Sequence, residues 1–135
     1  KFVWDTFASH YVELIKARAY NEERKFTKEE SDSAKFTLHY LLERILCLLY
    51  PIIPQVTSVI AKEKGIDLTK ENWPDLKKKT KDESVLIEKL MEFNSQVWKV
   101  KKDHGISLRE RIEGIKIPKE LKPFEKDLIA AHNFL

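Results

Sequence analysis

The residues that could do chemistry are few and scattered. Four histidines (His10, His39, His104 and His132) and one cysteine (Cys47) occur in 135 residues. None of the histidines stands at a metal-binding spacing from a cysteine, another histidine or a carboxylate, and one cysteine cannot build a cysteine-based zinc site. His39 and Glu43 are four apart and can touch on one helix face. We read that pair as a structural hydrogen bond, since no spacing here forces two carboxylates or a carboxylate and a histidine into acid–base partnership. Cys47 lies in an apolar run with no base beside it, so it reads as a buried thiol with no nucleophilic role. A lone buried thiol suits a reducing cytosol, and a cytoplasmic location is expected. Three scattered glycines make neither a Walker-type loop nor a dinucleotide turn. The chain therefore reads as a binding or scaffolding module with no catalytic site, metal or cofactor of its own.

The cations are more informative. Net charge is only +3, but its distribution is uneven. Residues 1–76 hold 11 Lys/Arg against 12 Asp/Glu, and residues 77–135 hold 14 against 10. A basic second part is a candidate nucleic-acid footprint, although solvated lysine-rich helices give the same count. No signal peptide is visible. The most apolar run, Tyr40 to Ile53, is interrupted by Glu43 and Arg44 and is too short to span a bilayer, so no membrane role is expected.

Helices must position these groups. Leu, Lys, Glu and Ile dominate and glycine is scarce. Val3, Phe7, Tyr11 and Leu14 predict an amphipathic helix over 1–20, followed by a charged, mobile loop over 21–30. Phe36 to Pro54 carries two apolar stripes, Leu38-Leu41-Ile45-Leu48 and Leu42-Leu46-Leu49. They predict a central helix from about Asp32 to Tyr50, capped by Ser31 or Asp32, buried on several sides and stopped by Pro51. Pro54 should open a third helix to Lys64, with Ile53, Val56 and Ile60 inward and Gly65 as its stop. Residues 66–81 read as irregular, with Trp73-Pro74 and a basic run at Lys77, Lys78, Lys79 and Lys81. Asp82 should cap a fourth helix with Leu86, Leu90, Phe93, Val97 and Val100 inward, ending at Gly105. Ile115 and Ile117 alternate as a short extended piece or a loop would, and Phe124 to Ala131 reads as a short final helix. The expected fold is all-α: a bundle of four longer helices with a small C-terminal appendage, forming one domain over 1–135. The chain starts inside an amphipathic pattern and ends on Phe134-Leu135, as a domain within a longer protein would.

Two stretches carry a family resemblance. The run from Phe2 to Arg18, Phe-Val-Trp-Asp-Thr-Phe-Ala-Ser-His-Tyr-Val-Glu-Leu-Ile-Lys-Ala-Arg, resembles the opening of the anticodon-binding helical domain of class I aminoacyl-tRNA synthetases. Thr37 to Pro54, closing in Leu-Leu-Tyr-Pro-Ile-Ile-Pro, is similar to that domain's second helix. Val97-Trp98-Lys99-Val100-Lys101-Lys102, with Gly105 and Leu108, is similar to the later helix and basic turn of archaeal-type valyl members. Tyr50 stands where the family often has His, and Ser58 and Ala61 stand at its Glu and Trp positions. Isoleucyl, leucyl and methionyl members thus stay open beside the valyl form, as does a helical protein-interaction scaffold with no RNA role.

The resemblance implies the fragment that holds a tRNA anticodon stem-loop for an enzyme that joins valine to its tRNA. The ATP and Mg chemistry of that enzyme would belong to a catalytic domain, whose His-Ile-Gly-His and Lys-Met-Ser-Lys-Ser signatures are not in this chain. Catalytic and editing domains of a parent chain are implied partners. Reading a splayed RNA loop needs aromatic or guanidinium planes, and phosphates need cations. By position in the matched motifs, Lys16 and Arg18 should face RNA and Lys99, Lys101 and Lys102 should hold phosphates. Arg109 and Arg111, after Gly105, could reach bases or backbone. Trp73 is a loop-borne stacking candidate, whereas Trp4 and Trp98 border the inward stripes and read as packing residues.

Overall fold

The computed structural model describes residues 2–71, 73 and 84–134, and most of them are helical, as the composition predicts. Among them no strand forms; a single isolated parallel bridge joins Ile112 to Phe134. No described helix is long and apolar enough to cross a membrane. The α-helices are α1 (Glu13–Tyr20), α2 (Lys28–Leu49), α3 (Pro54–Glu63), α4 (Ser84–Asp103) and α5 (Glu125–His132). The expected cap at Asp82 and the lysine run at 77–81 lie outside the described residues. The chain divides into two compact units, Lys1–Ser31 with Lys81–Leu135, and Asp32–Thr80.

In the first unit the expected α-helix over 1–20 is π-helical over Phe2–Val12 and becomes α-helical only at α1. No residue of Phe2–Val12 is buried, so no core contact imposes the α phase there. The Ser9 hydroxyl donates to the Trp4 carbonyl five residues back, 2.9 Å away, which matches the wider turn. Trp4, expected to pack, is 76% exposed. From Leu14 onward the helix has a core to face, and Leu14, Ile15 and Ala19 are buried.

Residues 21–27 are ordered by a clamp that composition does not reveal. Asn21 ends α1 in the left-handed conformation. Its carboxamide accepts from the Phe26 N–H (3.0 Å) and donates to the Phe26 carbonyl (2.7 Å), and Phe26 is buried. Thr27, not Ser31 or Asp32, caps α2. The Glu30 N–H donates to its hydroxyl (3.2 Å), and the Thr27 N–H donates to the Glu30 carboxylate (2.7 Å), a reciprocal capping box. The helix thus starts four residues earlier than predicted, and Ser31 instead gives its hydroxyl to the Ala19 carbonyl (3.0 Å).

On α4, Phe93, Asn94, Val97 and Lys101 are buried, so the inward stripe continues through Lys101. Gly105, with φ of 66°, ends the helix: its N–H bonds the Lys102 carbonyl while the Ile106 N–H bonds that of Lys101. The small C-terminal part, a 3-10 turn at Lys119–Phe124 followed by α5, supplies Leu121 and Leu128. Both have no exposed surface, and both join Leu14, Phe93 and Val97 in one core. Burying each leucine stabilises the unit by roughly 2 kcal/mol.

The second unit packs α2 from Asp32 onward against α3 and residues 66–68. Leu46, Ala61 and Leu68 are buried, with Leu42, Cys47, Tyr50, Ile60 and Ile66 around them. The prediction of a helix buried on several sides does not hold. Of its two stripes only Leu46 is buried, and Leu48 is exposed, because α3 and the 66–68 segment cover one face. The stop at Leu49 and the restart at Pro54 are as expected. The inward face of α3 is Thr57, Ile60 and Ala61, while Val56 is 57% exposed. Thr57 can be buried because its hydroxyl bonds the Ile53 carbonyl, 2.9 Å away.

Candidate nucleic-acid interface

One groove of about 1000 Å³ opens in the first unit. Its walls come from four places: α1, the clamped loop after it, the middle of α4 with the turn at Leu108 and Arg109, and the C-terminal end of α5. Lys16, Lys25 and Arg109 bring cations to it, and Tyr20 and Trp98 bring aromatic faces. Tyr20 is 75% exposed, so its ring is open to stacking. Trp98 is held by ring contacts: His10 stacks on it at 5.2 Å and His132 meets its edge at 6.1 Å.

The groove is mixed in charge. Glu13, Glu22 and Glu23 also line it. Glu13 pairs with Lys16 and Glu23 with Lys25. Lys25, by hydrogen bond and charge, holds the Glu23 carboxyl below its ordinary range, and Arg111 adds a smaller effect from nearby. Arg109 has no carboxylate partner within 4.0 Å among the described residues.

The structure separates the residues expected to touch RNA. Lys16 and Arg109 share the groove, and Arg111 is exposed two residues further on, outside the groove lining. Lys99 and Lys102 are exposed on the last turns of α4, and helical spacing puts Lys102 on the same side as Trp98, one turn on. Trp73 is 65% exposed and belongs to the other unit.

Arg18 and Lys101 are engaged within the fold. Arg18 makes a two-pronged pair with Asp127, Nε to Oδ1 at 2.8 Å and the second nitrogen to Oδ2. The Asp127 side chain is 3% exposed, and burial pushes its carboxyl up despite the guanidinium. Arg18 also lies over the Phe26 ring. Lys101, placed by the sequence among the phosphate-binding candidates, is in the interior with no exposed surface. Its ammonium donates to the carbonyls of Leu108 (2.8 Å), Glu110 (2.7 Å) and His132 (2.7 Å). Three donors meet three acceptors, which leaves none for a phosphate. Burial lowers the Lys101 ammonium's pKa, opposed by Glu110.

Three groove residues escaped the sequence reading. Tyr20 and Lys25 fall in or beside a stretch without apolar periodicity, where type alone gives no direction. Asn133 sits one past α5 in the left-handed conformation and donates to the Arg109 carbonyl at 2.8 Å. Among the described residues no group of three or more His, Cys, Asp or Glu side chains could hold a metal ion.

Cations, carboxylates and two aromatic side chains, Tyr20 and Trp98, thus share one groove of a largely helical unit. A family model described as the anticodon-binding domain of tRNA ligase matches residues 1–117, and the chain belongs to that family. The valine–tRNA ligase of Nanoarchaeum equitans is 41% identical over 134 residues, 98% of this chain and 17% of that protein. That of Aeropyrum pernix is 38% identical over 138 residues, again 98% and 17%. That of Pyrobaculum aerophilum is 38% identical over 122 residues, 89% and 15%. The chain thus spans about a sixth of the length of these relatives. No solved structure matches it.

Proposed function

We propose that residues 1–135 act as one anticodon-binding domain of a valine–tRNA ligase and grip the anticodon stem-loop through the groove of the first unit. The observation that carries this reading is the meeting of Lys16 and Arg109 with the faces of Tyr20 and Trp98 in that one groove, in a chain of this family. Unstacked loop bases are held on aromatic faces, and the backbone is held by cations. Lys16 and Arg109 take the phosphates or base edges nearest the groove. Arg111, Lys99 and Lys102 extend the cationic path beyond it, and Trp73 offers a further stacking face. Arg18 and Lys101 serve the fold that presents these groups.

In this reading the parent enzyme attaches valine to its tRNA with ATP and Mg held in a separate catalytic domain. Its catalytic and editing domains are this chain's covalent partners, and the work is done in the cytoplasm. Filter binding tests the proposal. The protein should retain valine-acceptor tRNA with an affinity that falls steeply as salt rises, because each neutralised phosphate releases counterions. A valine tRNA altered at the middle anticodon base should bind less well. Equal retention of isoleucine, leucine or methionine acceptors would reassign the amino acid, and retention of no tRNA at low salt would defeat the proposal.

A further inference from the structure

The turn that carries Arg109 is held in an unusual way. After Gly105 the chain reverses, and the Glu110 N–H closes a turn on the Ser107 carbonyl at 3.0 Å. The three consecutive carbonyls inside and after that turn all receive side-chain donors. Lys101 takes those of Leu108 and Glu110, which flank Arg109 on both sides. Asn133 takes that of Arg109 itself. Lys101 also binds the His132 carbonyl, and the Ile112 N–H reaches the Asn133 carbonyl at 3.3 Å. Two side chains, one on α4 and one just past the end of α5, thus fix three peptide planes in a row, and the Cα of Arg109 is oriented by all of them.

An apolar residue would serve the α4 stripe better if packing were the only need, because a buried ammonium is costly to desolvate. The surrounding turn is exposed: Ser107 through Arg111 lie open to solvent, so burial cannot order them. Exposed turns of this kind are mobile unless their backbone groups are tied down. The charge-assisted bonds from Lys101 supply that tie from beneath. We propose that Lys101 is a positioning residue for RNA recognition. It holds the Leu108–Glu110 peptides so that the Arg109 guanidinium is presented at the groove rim, and it makes no RNA contact of its own. The proposal rests on the tRNA-binding reading above and goes beyond it by separating the residue that touches RNA from the one that aims it.

A double-mutant cycle on tRNA affinity tests it, with circular dichroism to show that each variant is folded. Arg109→Ala should weaken binding about tenfold. Lys101→Met should weaken it by a similar factor in the parent background and by no further factor when Arg109→Ala is already present. Asn133→Gly, which removes one tie and keeps the left-handed backbone there, should weaken binding a few-fold with the same dependence on Arg109; it decides the matter alone if Lys101→Met fails to fold. Losses of equal size in both backgrounds would overturn the proposal, since Lys101 would then act on the domain at large or on RNA directly. Steep salt-dependent binding that Arg109→Ala leaves unchanged would also overturn it while sparing the tRNA reading. An unsubstituted protein that binds no tRNA would defeat both.

Discussion

His132 donates from Nε2 to the Oδ1 of Asn94 over 2.8 Å, and both residues are buried at the groove. An amide oxygen accepts only, so this bond places the proton of the neutral ring on Nε2. Burial first, and the Lys101 charge second, lower the ring's pKa from 6.5 to about 4. Between those values the unfolded chain takes up a proton that the folded chain refuses. The stability from the neutral ring is fully present above about pH 6.5 and is lost as pH falls toward 4. The loss should reach roughly 3 kcal/mol. Urea midpoints across that range should fall more steeply for the parent than for His132→Gln. The His132 ring resonances should not titrate until about pH 4.

The Arg18–Asp127 pair should behave as a buried couple. Arg18→Met strands a carboxylate whose side chain is 3% exposed, and such a loss costs about 3–5 kcal/mol. The double variant Arg18→Met with Asp127→Leu should recover much of that, because it leaves no unpaired charge inside. Urea denaturation of the four proteins gives the coupling directly. tRNA affinity measured on variants that remain folded should change little, which separates Arg18 from the groove cations.

Leu128 has no exposed surface and joins the core of the first unit from α5. Leu128→Ala should cost about 2–5 kcal/mol, by lost burial and the cavity left behind. Leu48→Ala on α2, at 40% exposure, should cost well under half as much. Thermal melts of the two variants check the contrast, and similar losses would mean that the core is misassigned.

Groove cations should show in the salt dependence. Lys16→Ala should lower the slope of log affinity against log salt by about 1 if Lys16 neutralises a phosphate. Asp103→Asn, at the far end of α4, should leave that slope unchanged. Filter binding at several salt concentrations distinguishes the two.

Much of the helix pattern was legible because apolar spacing records it. The stop of α2 before Pro51, the start of α3 at Pro54 and the end of α4 at Gly105 follow from proline and glycine chemistry. What misled was residue type read without phase. Lys101 looked like a phosphate ligand because it is a lysine among lysines. Yet it continues the row Leu90, Phe93, Asn94, Val97 at helical spacing, so its inward position was written in the pattern. The Asn21 clamp on Phe26 and the capping box of Thr27 with Glu30 were hidden in a stretch without periodicity. Each works through a pair of hydrogen bonds that composition does not register. Val56, expected inward, is exposed and Thr57 is buried in its place, because a hydroxyl with a nearby carbonyl to bond can be buried as readily as a small apolar group.

Arg18 and Asp127 meet across 109 residues of chain, and all of Asp32–Thr80 lies between them. The two halves of the first unit are therefore made at different times. On the ribosome, the inserted helices emerge whole and can pack while α1 still waits for the segment that completes its core. A later stretch, bearing Leu121 and Leu128, completes the core that Leu14 begins. A message ended between Thr80 and Leu121 would release α1 without the residues that complete its core, and the groove would be unbuilt.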